Sequence, residues 1–354
     1  MAGLKKKKLV GVIGAGSWGT VLARLLADNG HSVQLWCFEE AVARQIRERR
    51  ENRTFLPGFH LPESIEPITD LGEAIRQKEM LLLVVPSHVF RDVLNRMIPS
   101  LSYLKRGCLW ISAAKGIENE SLLTMTGIMK EILGDAHHPF IGCLSGPSFA
   151  QEVARELPTA ISLGAFQKEA AERAQRLFAN GYFRVYTNPD TLGLEIGGAL
   201  KNVIALAAGI SDGLGLGHNT RSALITRGLA EISRLGVKMS AQQATFYGLA
   251  GIGDLVLTCT GDLSRNRTVG LRLGKGEKLN SILASMTMVA EGVKTSRAAY
   301  QLALREQVDM PIVTQVYGIL YENQVPRRAV KDLMSRNLKS ETGDDWSRLG
   351  IDFA

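Results

Sequence analysis

Short apolar runs alternate with amphipathic stretches along the first half of the chain. Apolar runs bounded by turn residues are typical of buried strands, whereas apolar residues three or four apart predict helices. The predicted strands are Leu9–Ile13, Ser32–Cys37, Met80–Val85, Cys108–Ser112, Phe140–Leu144, Ala160–Leu163 and Phe183–Tyr186. The predicted helices between them are Trp18–Asn29, Glu39–Arg50, Leu71–Gln77, Val89–Ser100, Ser121–Leu133 and Lys168–Asn180.

The pattern changes after Asn188-Pro189, where long helical periodicity replaces the alternation. The helices predicted beyond this point are Gly197–Gly209, Thr220–Leu235, Ala241–Tyr247, Thr295–Glu306 and Pro311–Glu322. Strands that alternate with helices predict a mostly parallel, doubly wound sheet with helices on both faces. We therefore predict an α/β domain over residues 1–189 and an all-α domain over residues 190–354.

Composition narrows the class of protein. A chain of 354 residues with 45% hydrophobic and 22% charged residues is long enough for two packed cores and too apolar to be disordered. Uncharged apolar stretches such as Met80 to Phe90 and Asn202 to Ser211 are shorter than the roughly 18 apolar residues that span a bilayer. The lysines at positions 5 to 8 precede an apolar segment too short for a signal peptide. We expect a cytoplasmic protein with no membrane insertion.

The cysteines and the net charge indicate no particular metal site or partner. The four cysteines are scattered, without a Cys-x-x-Cys pair, so we expect neither disulfides nor a metal site. The net charge of +7 suits small phosphorylated ligands as well as nucleic acid, and a solvated basic surface explains it equally well. Beyond the N-terminal lysines and the segment from Arg44 to Arg53, no basic stripe appears. We therefore expect no nucleic-acid partner.

A glycine-rich turn follows the first predicted strand. Gly14-Ala15-Gly16-Ser17-Trp18-Gly19 lies between the strand Leu9–Ile13 and a helix, which is the position that the G-x-G-x-x-G fingerprint requires. Gly14 permits the tight turn, Gly16 lets a pyrophosphate approach the backbone, and Gly19 allows the helix to pack closely on the strand. The fingerprint predicts that the first domain is a Rossmann-type, dinucleotide-binding domain.

The end of the second predicted strand bears on the choice between NAD and NADP. An acidic residue there binds the adenosine ribose of NAD, and a basic residue binds the 2′-phosphate of NADP. The chain has Phe38 and Glu39 at this point, and Glu39 favours NAD weakly. Arg44, Arg47 and Arg53 are near enough in sequence to receive a 2′-phosphate, although exposed helix charges explain them as well.

One basic residue interrupts an otherwise apolar helix. Between Gly198 and Gly209, only Lys201 and Asn202 are polar. A lysine in this setting either extends to water or is held for chemistry. Partial burial lowers the pKa of an ammonium towards neutrality, which is what an acid/base catalyst for a secondary alcohol needs. The helix alone leaves both interpretations open.

Two further polar segments are candidates for a substrate site. Asp254 and Thr258 are four residues apart and therefore on one helical face, so Asp254 is either a partner of Lys201, a ligand of a substrate hydroxyl, or a plain helix-terminal carboxylate. The segment from Ser264 to Arg267 is predicted to be a glycine-flanked loop whose donors suit a phosphate monoester. Many surface loops share this composition.

These residues together carry a family resemblance. The sequence resembles the NAD(P)-dependent glycerol-3-phosphate dehydrogenases of the bacterial soluble type along nearly its whole length. The matching segments are Gly14–Gly19, Phe55–Gly58, Ala114–Gly116, Ser145–Ala150, Gly198–Gly209, Asp212–Arg221 and Gly253–Leu255. Several such segments in one order are far more specific than a single fingerprint.

The resemblance implies a reaction and a set of residues. The reaction is reversible hydride transfer between NAD(P)H and dihydroxyacetone phosphate, giving sn-glycerol 3-phosphate for glycerophospholipid synthesis. Lys201 would be the proton donor and acceptor, and Lys115 would reach both substrate and cofactor. The glycerol-phosphate site would include, besides these two lysines, Gly146, Ser148, Asp254, Ser264, Arg265 and Asn266. The cofactor site would include, besides Gly14, Gly16, Gly19 and Lys115, the residues Ser17, Trp18, Ala150, Arg265, Val289 and Glu291.

One departure from the family concerns the cofactor. Many relatives carry a basic residue just after the second strand, where this chain has Phe38. The NADPH preference expected from the family is therefore in doubt, and the cofactor is NAD or NADP. We also expect a homodimer. A dehydrogenase of a β-hydroxyacid or sugar acid, and a dinucleotide-sensing regulatory protein, remain as alternatives, although the latter has no use for a lysine inside an apolar helix.

Overall fold

The first half of the chain folds as an α/β unit. A computed structural model describes residues 7–286, 288–338 and 340–341. Ten strands are present: β1 (Leu9–Ile13), β2 (Ser32–Trp36), β3 (Glu51–Asn52), β4 (Leu56–His60), β5 (Ile65–Ile68), β6 (Met80–Leu83), β7 (Leu109–Ser112), β8 (Ile141–Ser145), β9 (Thr159–Ala165) and β10 (Phe183–Asn188). The helices among them are α1 (Ser17–Asp28), α2 (Glu40–Arg49), α3 (Leu71–Ile75), α4 (Phe90–Met97), α5 (Met125–Leu133), α6 (Ala150–Ala154) and α7 (Lys168–Phe178).

Eight of the strands form one sheet in the order β10-β9-β8-β7-β6-β1-β2-β5. Neighbouring strands are parallel except β8 and β9, which pair antiparallel. The strands β1, β6, β7 and β8 therefore all end at the same edge, where loops from different parts of the chain meet. The seven predicted strands are confirmed, while β5 and the small β3–β4 hairpin were not predicted.

Both faces of the sheet are covered. Buried side chains of α1, α2, α6 and α7 pack with one face, and those of α3, α4 and α5 pack with the other. The apolar runs of β6 and β7 are buried at every position because helices lie on both sides of these strands. This arrangement confirms the predicted doubly wound, mostly parallel α/β fold.

Beyond β10 the described chain is helical. The helices are α8 (Thr191–Gly213), α9 (Gly217–Lys238), α10 (Gln243–Phe246), α11 (Asp254–Thr260), α12 (Arg265–Gly274), α13 (Leu279–Ala284), α14 (Glu291–Glu306), α15 (Pro311–Tyr321) and α16 (Pro326–Met334). A kinked π-helical turn, Leu249–Gly253, precedes α11. The predicted helical character is confirmed, whereas the boundary at residues 189 and 190 stays a prediction. Lys5, Lys6 and the outermost residues of both predicted domains lie outside the described residues.

The helix α8 is the centre of the second core. By length and composition it is the one helix of the described chain that is apolar enough to cross a bilayer, but its apolar window is entirely buried inside the protein. It is therefore a core helix. Glycines let α12 cross it at backbone contact: a Cβ on Gly209 would lie 2.1 Å from the Arg267 carbonyl oxygen, and one on Gly270 would lie 2.2 Å from that of Leu206. This close crossing fixes the start of α12 relative to α8.

Candidate active site

The glycine-rich turn between β1 and α1 has the geometry that a dinucleotide needs. Gly14 has φ +115°, a conformation that favours glycine. A Cβ on Gly19 would lie 1.9 Å from the Gly14 carbonyl oxygen, so α1 packs directly against the turn. At Gly16 a Cβ would meet no atom within 4 Å. The backbone is thus open above Gly16, where the unpaired amides that begin α1 can receive phosphates.

The β3–β4 hairpin is held against this turn by residues that the sequence did not single out. The Asn52 amide donates to the Ala15 carbonyl and to Thr20 Oγ1, both at 2.8 Å. Ser17 Oγ donates to the Phe55 carbonyl at 2.5 Å and lies 3.2 Å from the Met288 sulfur. Trp18, the next predicted cofactor residue, is partly buried against the core. The turn therefore has neighbours from both halves of the chain.

At the end of β2, Phe38 and Glu39 face outwards. Phe38 is 72% exposed, and its ring packs edge-to-face with that of Trp36, with 6.1 Å between the ring centroids. Glu39 precedes α2, and its carboxylate does not cap the helix.

The nearby arginines differ in their partners. Arg47 lies 3.5 Å from Glu40, and Arg53 lies 2.9 Å from Glu51. Arg44 and Arg53 line an open groove of about 320 Å³ that none of residues 36–39 lines. Arg44 and Arg53 therefore share this groove, whereas the charge of Arg47 acts on Cys37 at the end of β2.

Lys201 lies in a cluster of buried charges. Its ammonium donates to Asp254 Oδ1 at 2.7 Å and to Thr258 Oγ1 at 2.6 Å. The second oxygen of Asp254 accepts from the Lys115 ammonium at 2.6 Å. Asp254 is 1% exposed and Lys201 7% exposed. One carboxylate thus holds two ammonium groups, one from α8 and one from the loop after β7.

Burial and the neighbouring charges set the protonation of Lys201. Burial lowers the pKa of its ammonium to about 8, Asp254 opposes this shift, and the positive charge of Lys115 adds to it. A buried ammonium held beside a carboxylate keeps its charge at neutral pH, yet its pKa remains close enough to that range for reversible proton transfer. This is the protonation behaviour expected of an acid/base catalyst.

Two adjacent glycines on α8 make this cluster possible. A Cβ on Gly197 would lie 2.6 Å from the Ala250 carbonyl oxygen, so the chain leading to Asp254 can pass close to α8. A Cβ on Gly198 would lie 3.7 Å from the side-chain carbons of Lys115 and 2.6 Å from Ser145 Oγ. A larger residue at Gly197 would push the chain that leads to Asp254 away from α8, and one at Gly198 would collide with Ser145.

The loop after β8 forms another wall of the same cleft. The Gly146 carbonyl accepts from the Lys115 ammonium at 3.1 Å and from Ser148 Oγ at 3.0 Å. Gly146 itself has φ +144° and packs on Ile161, which would lie 3.0 Å from an added Cβ. Ala150 begins α6 immediately beyond this loop. Lys115 and Ser148 therefore meet at the Gly146 carbonyl, which accepts from both.

The segment from Ser264 to Arg267 is helical, and the predicted loop is wrong. Ser264 caps α12 by accepting from the Arg267 amide, so Arg265 and Asn266 lie in the first helical turn. The sequence prediction failed because the apolar positions Val269 and Leu273 begin only after this polar turn. Arg267 instead forms ion pairs with Asp212 and Asp262, each at 2.9 Å.

Asn266 joins three helices next to Lys201. Its amide nitrogen donates to Asn202 Oδ1, and its oxygen accepts from the Gly292 amide, both at 2.9 Å. Arg265 is exposed in the cleft, and the surrounding protein lowers the pKa of its guanidinium, with Glu291 opposing. The start of α12 therefore lies between the lysine cluster and the start of α14.

Glu291 connects α14 with the turn after β6. Its carboxylate accepts from Ser87 Oγ at 2.6 Å and from the Ser87 amide at 3.3 Å. Burial raises the pKa of this carboxyl, and the Ser87 bonds oppose that shift. Val289, the other predicted cofactor residue here, is 39% exposed. Ser87 escaped the sequence analysis, although its position after the strand next to β1 is a usual one for cofactor contacts.

Comparisons with known proteins identify the family. A model of the N-terminal domain of NAD-dependent glycerol-3-phosphate dehydrogenase matches residues 9–171, and a model of its C-terminal domain matches residues 190–331. The chain belongs to this family. Its relatives include proteins named glycerol-3-phosphate dehydrogenase [NAD(P)+] from Geobacter metallireducens, 56% identical, and Syntrophobacter fumaroxidans, 54% identical. The alignments cover 94% of this chain and 99% and 97% of those proteins.

The fold of the family is also seen in a solved structure. The crystal structure of glycerol-3-phosphate dehydrogenase from Coxiella burnetii is 37% identical, with a TM-score of 0.88 over 93% of this chain and 99% of that one. These matches confirm the resemblance, the oxidoreductase class and the use of NAD or NADP. Membership of the family also removes the two alternatives that the sequence had left open.

Proposed function

We propose that this chain catalyses reversible hydride transfer between NAD(P)H and dihydroxyacetone phosphate, forming sn-glycerol 3-phosphate. The observation that carries this proposal is the Lys201–Asp254–Lys115 cluster at the same sheet edge as the glycine-rich turn. It combines a proton donor, a second cation and a dinucleotide cradle at one sheet edge. A ketone that becomes an alcohol needs these elements: a proton for its oxygen and stabilisation of the negative charge that develops there.

Lys201 is the proposed proton donor and acceptor. When bound, the nicotinamide cofactor supplies the hydride for C2 of the ketone or accepts it from the alcohol. The Lys201 ammonium protonates the developing alkoxide during reduction, and the neutral amine removes the hydroxyl proton during oxidation. Asp254 orients the amine, because both its hydrogen bond and its charge act on the Lys201 nitrogen. Thr258, one turn further along the same face of α11, accepts a hydrogen bond from the same nitrogen.

The remaining cleft residues bind and orient the substrate. Lys115 stabilises the developing oxyanion, while Gly146 and Ser148 fix the position of the Lys115 ammonium. Arg265 binds the phosphate, since a guanidinium presents a fork of donors that matches phosphate oxygens. Ser264 and Asn266 keep Arg265 in the first turn of α12.

Residues at the carboxyl ends of the strands would hold the cofactor. Gly14, Gly16 and Gly19 shape the pyrophosphate cradle, and Ser17 and Trp18 begin the helix whose amides face it. The remaining proposed contacts come from the loops after β7 and β8 and from the starts of α12 and α14: Lys115, Ala150, Arg265, Val289 and Glu291. The residues present fit NAD or NADP.

Turnover of dihydroxyacetone phosphate tests the proposal. Oxidation of NADH and of NADPH is followed in parallel, with a panel of β-hydroxyacids and sugar acids assayed in the reverse direction. We expect turnover only with the triose phosphate and its alcohol, because the proposed anchor, the Arg265 guanidinium, matches a phosphate dianion. Turnover of a hydroxyacid without turnover of the triose phosphate would refute the proposal.

The cellular setting belongs to the same proposal. We place the enzyme in the cytoplasm, as a homodimer that supplies glycerol 3-phosphate for glycerophospholipid synthesis, with residues 1–189 binding the cofactor and residues 190–354 the substrate. The two family domains, which match residues 9–171 and 190–331, support the division of the chain into these two parts. Sedimentation velocity of the full chain tests the dimer.

A further inference from the structure

The loop that carries Lys115 is fixed by an ion pair three residues further on. Arg91, in the first turn of α4, donates from Nε to Glu118 Oε1 and from Nη2 to Glu118 Oε2, both at 2.8 Å. Ser121 Oγ donates to the same carboxylate. Two parallel bonds between a guanidinium and a carboxylate fix orientation as well as distance. The arginine thereby ties the loop after β7 to the helix after β6.

Because Glu118 is buried, loss of either partner of this ion pair is costly. Glu118 is 8% exposed, so its carboxylate depends on Arg91 and Ser121 for hydrogen bonds. The bonds from Arg91 hold the pKa of Glu118 below its usual value, so the carboxylate is charged. The remaining Arg91 nitrogen binds Glu131 of α5 at 2.6 Å, where the glutamate side chain is 53% exposed. One arginine therefore makes one buried contact and one exposed contact, which can be tested separately.

A second contact fixes the same loop beside Lys115. A Cβ on Gly116 would lie 2.5 Å from Ser87 Oγ, so the loop backbone packs directly on the turn after β6. Ser87 and Arg91 are four residues apart, and they meet the loop at Gly116 and Glu118. The backbone next to Lys115 is thus held at two points, and the Lys115 side chain runs from there past Gly198 to Asp254.

We infer that the Arg91–Glu118 ion pair positions Lys115 for the reaction. Without Arg91, the buried Glu118 carboxylate lacks its partner and draws the loop towards water. The Lys115 ammonium then moves away from Asp254 and Gly146. Arg91 and Glu118 are positioning residues, because neither of them contacts the cleft in this arrangement. The inference rests on the proposed function, in which Lys115 faces the substrate.

Displacement of Lys115 has a signature that a merely structural defect lacks. Asp254, Lys115 and Cys259 are the charged or titratable groups that affect the Lys201 ammonium. Of these, only Lys115 lowers its pKa, so withdrawal of Lys115 raises the pKa of Lys201. The pH at which reduction begins to fail should then rise, in the same direction as in a Lys115→Met variant.

The test compares Arg91→Gln, Glu118→Gln and Arg91→Lys with Glu131→Gln, using the full chain, dihydroxyacetone phosphate and NADH or NADPH, whichever the parent uses. We expect Arg91→Gln and Glu118→Gln to lower kcat/KM by at least about tenfold, since small displacements of a reacting group are costly. Cofactor affinity should fall less than kcat/KM, because Lys115 is one of several proposed cofactor contacts, and the pH break should move upwards. Arg91→Lys should lose less of kcat/KM, because an ammonium keeps the charge but not the two parallel donors of the guanidinium. Glu131→Gln should match the parent.

Other outcomes overturn the inference. A lower melting temperature with unchanged kcat/KM and an unchanged pH break would make the pair purely structural. An equal loss in Glu131→Gln would show that the buried contact has no special role. If the two glutamine variants do not fold, Arg91→Lys and Ser121→Ala are used, and parental kinetics in both would refute the inference. A parent that fails to reduce dihydroxyacetone phosphate would instead refute the proposed function.

Discussion

Asp254 Oδ1 lies 2.7 Å from the Lys201 ammonium although the two residues are 53 positions apart in the chain. The contact joins α8 to α11, and both residues are buried. Since the same carboxylate also binds Lys115, Asp254 links the acid/base group to the loop after β7. The catalytic roles proposed for the two lysines are therefore coupled through one side chain.

Removal of the Lys201 amine should abolish proton transfer and leave the cofactor site intact. We expect Lys201→Ala to lower kcat by at least about a hundredfold while cofactor affinity stays within a few-fold. Steady-state kinetics and fluorescence titration with NADH or NADPH measure the two effects. Lys78→Ala is a control, because Lys78 is also buried but binds Gln34 and the carbonyls of Glu73 and Arg76. Near-normal turnover of Lys201→Ala would remove this residue from the mechanism.

The pH dependence of kcat/KM should have opposite signs for reduction of the ketone and for oxidation of the alcohol. Reduction needs the protonated amine, so kcat/KM should fall as the pH rises through about 8, the pKa of Lys201, whereas oxidation should rise through the same range. Measurements between about pH 7 and 9.5 leave the substrate phosphate a dianion, because its second pKa is about 6.

Asp254 should set where this break lies. Its carboxylate raises the pKa of the Lys201 ammonium against the effect of burial. We therefore expect Asp254→Asn to move the break in kcat/KM to lower pH, together with a lower maximum. A break that stays at the parental pH would mean that another group titrates.

Two glycines of the same turn should respond differently to substitution. A side chain at Gly16 meets open space, so Gly16→Val should leave the melting temperature near that of the parent and weaken cofactor binding at least about tenfold, since it fills the pyrophosphate space. Gly19→Ala places a Cβ 1.9 Å from the Gly14 carbonyl oxygen and should lower stability. Thermal unfolding and cofactor titration separate the two effects. Unchanged cofactor affinity in Gly16→Val would refute the proposed site.

The sequence predicts the fold and the local motifs better than it predicts their contacts. The apolar runs of β6 and β7 predict buried strands because nothing but burial explains them. By contrast, Lys201 and Asp254 meet only because Gly197 lets two backbones approach, and no local pattern reports that contact.

Short elements and polar elements were not predicted from the sequence, for related reasons. The strand β5 has four residues, one of them Pro67, and lacks a clear period. The first turn of α12 is polar because it faces the cleft, so it resembles a loop. Ser87 and Asn52 act through tertiary hydrogen bonds, which leave no spacing signal in the sequence.

Arg265 should determine the affinity for the phosphate. Loss of a charge-assisted pair with a dianion should raise KM for dihydroxyacetone phosphate by tens-fold or more in Arg265→Ala, whereas Arg265→Lys should recover only part, because an ammonium lacks the fork. Inorganic phosphate or phosphite should compete with substrate in the parent and lose that competition in the alanine variant. A change confined to cofactor affinity would show that Arg265 binds the cofactor instead.

Glu39, shortly after the end of β2, should influence the choice between NAD and NADP. The Glu39 carboxylate lies where an acidic residue favours the ribose of NAD and repels the 2′-phosphate of NADP. Replacing it with arginine should therefore improve the affinity for NADPH relative to NADH by at least about tenfold, since the change turns repulsion into attraction. Glu40→Arg is the matched control: it makes the same change in charge one residue further on, where the glutamate faces Arg47. Equilibrium titration of both variants with both cofactors gives the ratio of the NADPH and NADH affinities. An equal change of this ratio in both variants would show that overall charge, and not the position of Glu39, causes the effect.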